Sequence, residues 1–141
     1  MALKPILTAP DPRLKKKSKA VERVDDDIRQ LMDDMLETMY AAPGIGLAAP
    51  QVGVLKRVIV LDIDREDVKT GQIVMANPEI VEASDEDATY EEGCLSVPGL
   101  SWAITRPNAV HLTGYDLDGN EISIETNEFE GRIFQHEMDH L

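Results

Sequence analysis

Along the chain the spacing of apolar residues switches between two periods, and the switches lay out the elements. Ile28, Leu31, Met32, Met35, Leu36 and Met39 recur at intervals of three and four, which predicts a helix with one apolar stripe. Asp25, Asp26 and Asp27 stand at its start, as an N-cap and as negative charge against the positive end of the helix dipole. Ala42-Pro43-Gly44 stops it. Before Asp25, a stretch with Pro5, Pro10 and Pro12 shows no sustained period and predicts an irregular arm.

Arg57 to Asp62 reads as a buried strand, followed by a charged turn from Asp64 to Gly71. Ile73 to Asn77 reads as a second strand ended by Pro78, Glu79 to Glu82 as a short third, and Ser84 to Asp87 as an acidic turn. Ala109 to Asp116 and Glu121 to Thr126 alternate apolar and polar around Asp118-Gly119, a hairpin signal. His111 falls on the first of these strands, with no further ligand type at metal spacing, and reads as a strand-surface residue.

The period then returns to that of a helix. Asn127 can cap it, with Glu130 at the third position. Phe129 and Ile133 share a face with His136 and His140, and Phe134, Met138 and Leu141 cover the neighbouring arc. Only a narrow arc of Glu128, Arg132, Gln135 and Asp139 is polar, which predicts a mostly buried helix. The fold class is α+β: one domain over residues 1–141, with short antiparallel strands in sheets around a C-terminal helix, plus an N-terminal helix.

That last helix also carries the chemistry. His136-Glu137-Met138-Asp139-His140 is a His-Glu-x-x-His motif. Four residues advance a helix by about 400°, so the two imidazoles lie one turn apart on one face and can share a metal ion. Glu137 lies about 100° round from His136, beside the ligands, where a general base for an activated water belongs. The competing reading is a helix whose histidines are core residues or caps at the negative end of the dipole.

Composition narrows the function classes. No apolar run approaches a membrane span and the start lacks a secretory core, so a cytoplasmic protein is expected. Cys94 is the single cysteine, which excludes an internal disulfide; such a residue is either a small buried apolar group or a ligand. The net charge of −13 argues against broad nucleic-acid binding, specific DNA binding included. Arg13, Lys15, Lys16, Lys17 and Lys19 form the one basic cluster, read as a solvated loop in preference to an RNA contact.

Two further segments attract notice. Gly44 to Gly53 (GIGLAAPQVG) is built from small residues, so that backbone can approach a ligand closely, and its Gln51 needs hydrogen-bond partners if buried. A nucleotide loop is excluded because no strand precedes it and no Lys-Ser/Thr follows. In Glu92 to Gly99 (EGCLSVPG), Cys94 sits beside Gly93, whose backbone can be presented.

Together, GIGLAAPQVG, EGCLSVPG and Gln135 to Leu141 as QHEMDHL resemble, in order and nearly residue for residue, the three signature segments of bacterial-type peptide deformylases. The resemblance runs from about Leu7 to the end. It implies Cys94, His136 and His140 as ligands of one divalent metal, usually ferrous iron, with zinc or nickel as substitutes. The implied reaction removes the formyl group from the N-terminal formyl-methionine of new polypeptides, releasing formate. Glu137 would take the proton of the attacking water and return it to the amine, while the Gln51 amide and the Leu95 backbone N–H hold the oxyanion. Gly46 and Gly93 would pair with the extended peptide, and Ile45, Phe129 and Ile133 are candidates for the methionine pocket. Asp139 would pair with Arg106 and steady the ligand helix, unless both are plain surface charges.

The sequence stops one residue after His140, where relatives usually continue. A naturally minimal form, such as certain phage-encoded deformylases acting in a host cytoplasm, and a fragment both fit. Because that extension docks some members on the ribosome, any ribosome contact is expected to be weak or transient. The second functional reading is a deformylase-shaped metal-binding or ribosome-associated module with little turnover, its ligand helix fraying at the end. A metallopeptidase cutting internal bonds is disfavoured by Cys94 and the small-residue segments.

Overall fold

The computed structural model describes residues 3–8, 11–15, 17–42, 44–64, 69–85, 87–94, 96–107, 109–126 and 128–141. Leu95, Asn127, Lys16 and Pro43 lie outside the described residues, as do residues 65–68 of the expected charged turn and the side chain of Phe129.

In chain order the elements are α1 (Asp26–Ala41), β1 (Gly46–Ala48), β2 (Val58–Asp64), β3 (Lys69–Ala83), β4 (Asp87–Cys94), β5 (Val97–Pro107), β6 (Val110–Tyr115), β7 (Glu121–Glu125) and α2 (Glu128–Asp139). The Asp25 carboxylate caps α1 by accepting from the Ile28 N–H at 3.0 Å. At the other end the Ala42 N–H donates to the Thr38 carbonyl and the Gly44 N–H to that of Met39.

β1, β2, β3, β6 and β7 form, in that order, an antiparallel sheet held between the two helices. The alternation along β2 shows how. Val58 and Val60 face α1 with Leu47 and the buried stripe from Ile28 to Met39, while Ile59 and Leu61 face α2 with Ala48, Met75, Leu112 and Phe134. A strand covered on both faces has no polar side, and for that reason it reads as an unbroken apolar run.

Two expectations about strands need correction. Pro78 does not end a strand: β3 runs through it for 15 residues, its register shifting between Ala76 and Glu79. Proline has no N–H to lose from a ladder, and a bulge is where a sheet tolerates it. Asn77 takes a left-handed φ of 51° there. Its amide receives the Val21 N–H at 2.7 Å and donates to the Val21 carbonyl at 2.6 Å, imitating a strand for the N-terminal arm. The second correction is an addition: β4 and β5 pair from Asp87↔Pro107 to Cys94↔Val97 as a separate two-stranded sheet that hydrophobic pattern does not announce.

The arm is irregular, as expected, but it is tied down. The Leu7 N–H donates to the Gln51 carbonyl at 2.7 Å, Lys19 bridges to Lys56, and the Ser18 N–H reaches the Leu141 carbonyl at 3.4 Å. In the basic cluster, Arg13 is paired with Asp11 at 2.9 Å. His111 lies half-buried on β6, its Nε2 against the Ser123 hydroxyl of the neighbouring strand.

Candidate active site

Three donors converge where the end of β4 meets α2. Packing of Phe134 into the core turns the face with His136 and His140 towards the hairpin. The two rings stand edge to face with centroids 5.2 Å apart, and Cys94 Sγ lies 3.4 Å from His140 Nε2. One donor atom from each of Cys94, His136 and His140 falls within 4.8 Å of the others. Burial, and then the neighbouring His136, hold the His140 ring down at about 4, so it is neutral at physiological pH with a lone pair to offer. One thiol and two imidazoles are a donor set that fits a divalent metal. The last turn of α2 is closed by the His140 N–H on the Glu137 carbonyl at 3.2 Å and the Leu141 N–H on that of Met138 at 3.0 Å.

Glu92 organises the next layer, a role not visible in sequence. Its carboxylate accepts from Arg106 Nε and Nη2, each at 2.8 Å, from Arg132 Nη1, and from His136 Nδ1 at 2.9 Å. The last contact fixes the His136 tautomer and leaves Nε2 for the metal side. Burial pushes the Glu92 carboxyl up, but the hydrogen bonds from Arg106, His136 and Arg132 outweigh it and hold it at about 2. Glu92, Arg106 and Arg132 are all buried.

The Arg106–Asp139 contact proposed from sequence is present at 2.6 Å, joining β5 to α2. Asp139 is 67% exposed, so water screens its side of the pair. Because Arg106 also holds the buried Glu92, the contact is tested from its exposed side: Asp139→Asn should weaken metal affinity by about two- to fivefold, measured by competition with a chromogenic chelator. An affinity within experimental error of wild type would assign the contact no role in holding α2.

Gln51 is 1% exposed and has the partners it needs. Its Oε1 accepts from the Ala48 N–H at 2.9 Å, which orients the amide so that Nε2 points at Ser96 Oγ, 3.1 Å away, and Cys94 Sγ, 3.5 Å away. An amide N–H beside the cysteine is placed to donate to an oxygen that gains charge there. Glu137 is buried and its Oε2 has no hydrogen-bond partner. Burial above all pushes its carboxyl up to about 8, in the range of a general base working near neutrality.

Of the remaining sequence candidates, Gly46 is buried on β1, Gly93 is exposed on β4 and Ile45 is 39% exposed beside β1. Ile133 packs partly buried against the core on the α2 side of the sheet. Glu92, Ser96 and Arg132 were missed. A signal for Arg132 existed: it precedes His136 by one helical turn in the polar arc of an otherwise buried helix, and buried polar groups need partners.

The family model described as Polypeptide deformylase matches residues 3–141. The chain belongs to the peptide deformylase family. Across its full length it is 52% identical to the peptide deformylase of Phenylobacterium zucineum, 83% of which is covered. The crystal structure of peptide deformylase from Ehrlichia chaffeensis in complex with actinonin superposes with a TM-score of 0.97 at 45% identity, over 100% of this chain and 84% of that one. The Met-Ala-Ser-bound class I type b peptide deformylase from Acinetobacter baumannii gives 0.93 at 35% identity, over 99% and 93%. Peptide deformylases are metal-dependent hydrolases that remove the formyl group from N-terminal formyl-methionine, and Cys94, His136 and His140 form a site of the kind a metal requires. No helix among the described residues is long and apolar enough to cross a membrane.

Proposed function

We propose that Cys94, His136 and His140 hold the metal and that Glu137, Gln51 and Leu95 act on the substrate around it. The observation that carries this reading is the approach of one thiol and two imidazoles to within 4.8 Å. Ferrous iron is our assignment, with zinc or nickel as substitutes, since mixed thiolate and imidazole donors accept all three. When bound, the metal would supply Lewis acidity that makes a neighbouring water acidic enough to ionise near neutral pH. Glu137 takes the proton of the attacking water and delivers it to the departing amine, which leaves as the free N-terminus while the formyl group leaves as formate. The Gln51 Nε2 and the Leu95 N–H donate to the formyl oxygen as it gains charge.

The substrate class follows from the edge of the main sheet. The Asp62 N–H donates to the Ile45 carbonyl, and Gly46 stands opposite Leu61, so the Gly46 N–H and C=O point away from β2. A peptide can add there as an extended strand, with Gly93 on the hairpin as its other neighbour, using backbone contacts indifferent to sequence. The methionine side chain is assigned to Ile45, Ile133 and Phe129. The Met-Ala-Ser bound by the Acinetobacter baumannii relative is what deformylation of such a peptide would leave. Nascent formyl-Met chains are therefore the partners we assign, met in the cytoplasm with transient ribosome contact.

The test is formate release from formyl-Met-Ala-Ser by anaerobically purified protein, with metal measured on the same sample. About one metal per chain is expected. Chelation should abolish release and added ferrous iron restore it, while acetyl-Met-Ala-Ser stays intact. Full occupancy without formate would refute the reading.

A further inference from the structure

Gly46 belongs to a segment whose small residues were expected to let a ligand approach the backbone, but its other side faces the protein. Along β1, Leu47 turns into the core beneath α1 and Ala48 into the core beneath α2. By alternation, position 46 shares the α2 side with Ala48. A β-carbon built on Gly46 would lie 2.8 Å from Glu137 Oε1 and 3.0 Å from both Cδ and Cγ. The missing side chain is therefore filled by the end of Glu137. Backbone conformation does not require glycine here: left-handed φ occurs at Gly53, Gly71 and Gly119, whereas Gly46 lies in a regular strand.

We propose that Gly46 is a positioning residue for Glu137: its bare α-carbon sets how high the carboxylate stands beneath the edge of β1. The inference rests on Glu137 being the proton carrier and adds what places it. A carboxylate end is normally the flexible part of a side chain and would swing aside. Glu137 is 5% exposed, so a methyl at position 46 displaces it within a packed site instead of releasing it to water. The same methyl leaves the N–H and C=O of residue 46 in place. Peptide pairing and proton transfer should then respond differently to one substitution.

Gly46→Ala is expected to lower kcat for formyl-Met-Ala-Ser about a hundredfold, as a displacement of about 1 Å of a catalytic group does, with KM changed less than about threefold. Metal content should match wild type. Glu137→Ala removes Cγ, Cδ and both oxygens and will itself be slow. In that background the atoms that the added methyl would meet are gone, so Gly46→Ala/Glu137→Ala should be no slower than Glu137→Ala alone. The unfolding midpoint should show the same coupling: a loss in Gly46→Ala that is absent from the double variant.

Multiplicative losses in kcat, or a Gly46→Ala effect confined to KM, would overturn the inference in favour of a purely peptide-binding role. If Gly46→Ala does not fold, recovery of folded protein in the double variant supports the steric contact, and failure of both overturns it. Wild-type turnover by Glu137→Ala would instead remove the assignment of the base, and this inference with it.

Discussion

Glu137→Ala will lower kcat for formyl-peptide hydrolysis by about a thousandfold while leaving the metal bound, because the carboxylate lies beside the donors and is not one of them. Formate release and metal content on the same preparation check this, and a loss below about tenfold would sink the role of proton carrier. The fold should not suffer from the change. Glu137 is buried with Oε2 unpartnered, an arrangement that costs stability whenever the group is charged. The sign follows from its titration. In the metal-free protein the folded state keeps a proton that the unfolded chain releases, between the ordinary 4.5 and about 8. Stability should fall as pH rises through that window, and Glu137→Gln should flatten the dependence. Chemical denaturation at a series of pH values reads it directly.

The second large effect is on stability. Glu92→Ala leaves the buried guanidinium groups of Arg106 and Arg132 facing each other without their shared carboxylate. Removing one partner of a buried ion pair costs about 3–5 kcal/mol, against a total stability of about 5–15 kcal/mol for a domain. His136 loses its Nδ1 acceptor at the same time, which should weaken metal binding about 10- to 100-fold. A urea midpoint within experimental error of wild type would show that the two arginines find other partners. Chelator competition separates the metal effect from the folding effect, because Arg106 and Arg132 lie off the metal side of the ring.

The elements legible in sequence are those whose burial is periodic. The stripe from Ile28 to Met39 packs on one sheet face, and the strands around Asp118-Gly119 form the expected hairpin. The His-Glu-x-x-His spacing needs only the helix to place His136 and His140 together. What escaped depends on contacts distant in sequence. Glu92 meets Arg106, Arg132 and His136 across 14, 40 and 44 residues, and no local pattern encodes such a meeting. The β4–β5 hairpin escaped for a related reason. It forms its own two-stranded sheet, apart from the five-stranded one, and among the described residues it adds none to the two apolar clusters. Pro78 misled because proline is a stop signal only where a ladder needs its N–H.

The pairing of Asn77 with Val21 also bears on how the molecule ages. Asparagine side chains deamidate when the next residue's backbone nitrogen attacks the amide carbon to close a succinimide ring. That nitrogen belongs to Pro78, which carries no hydrogen and cannot complete the ring. The amide that stitches the arm to the bulge is thus closed to this route of deamidation by the residue that bends the strand. An aspartate at this position would have no N–H to offer the Val21 carbonyl. The arm, which also reaches the carbonyl of Gln51, is consequently fastened by an amide chemically suited to long service.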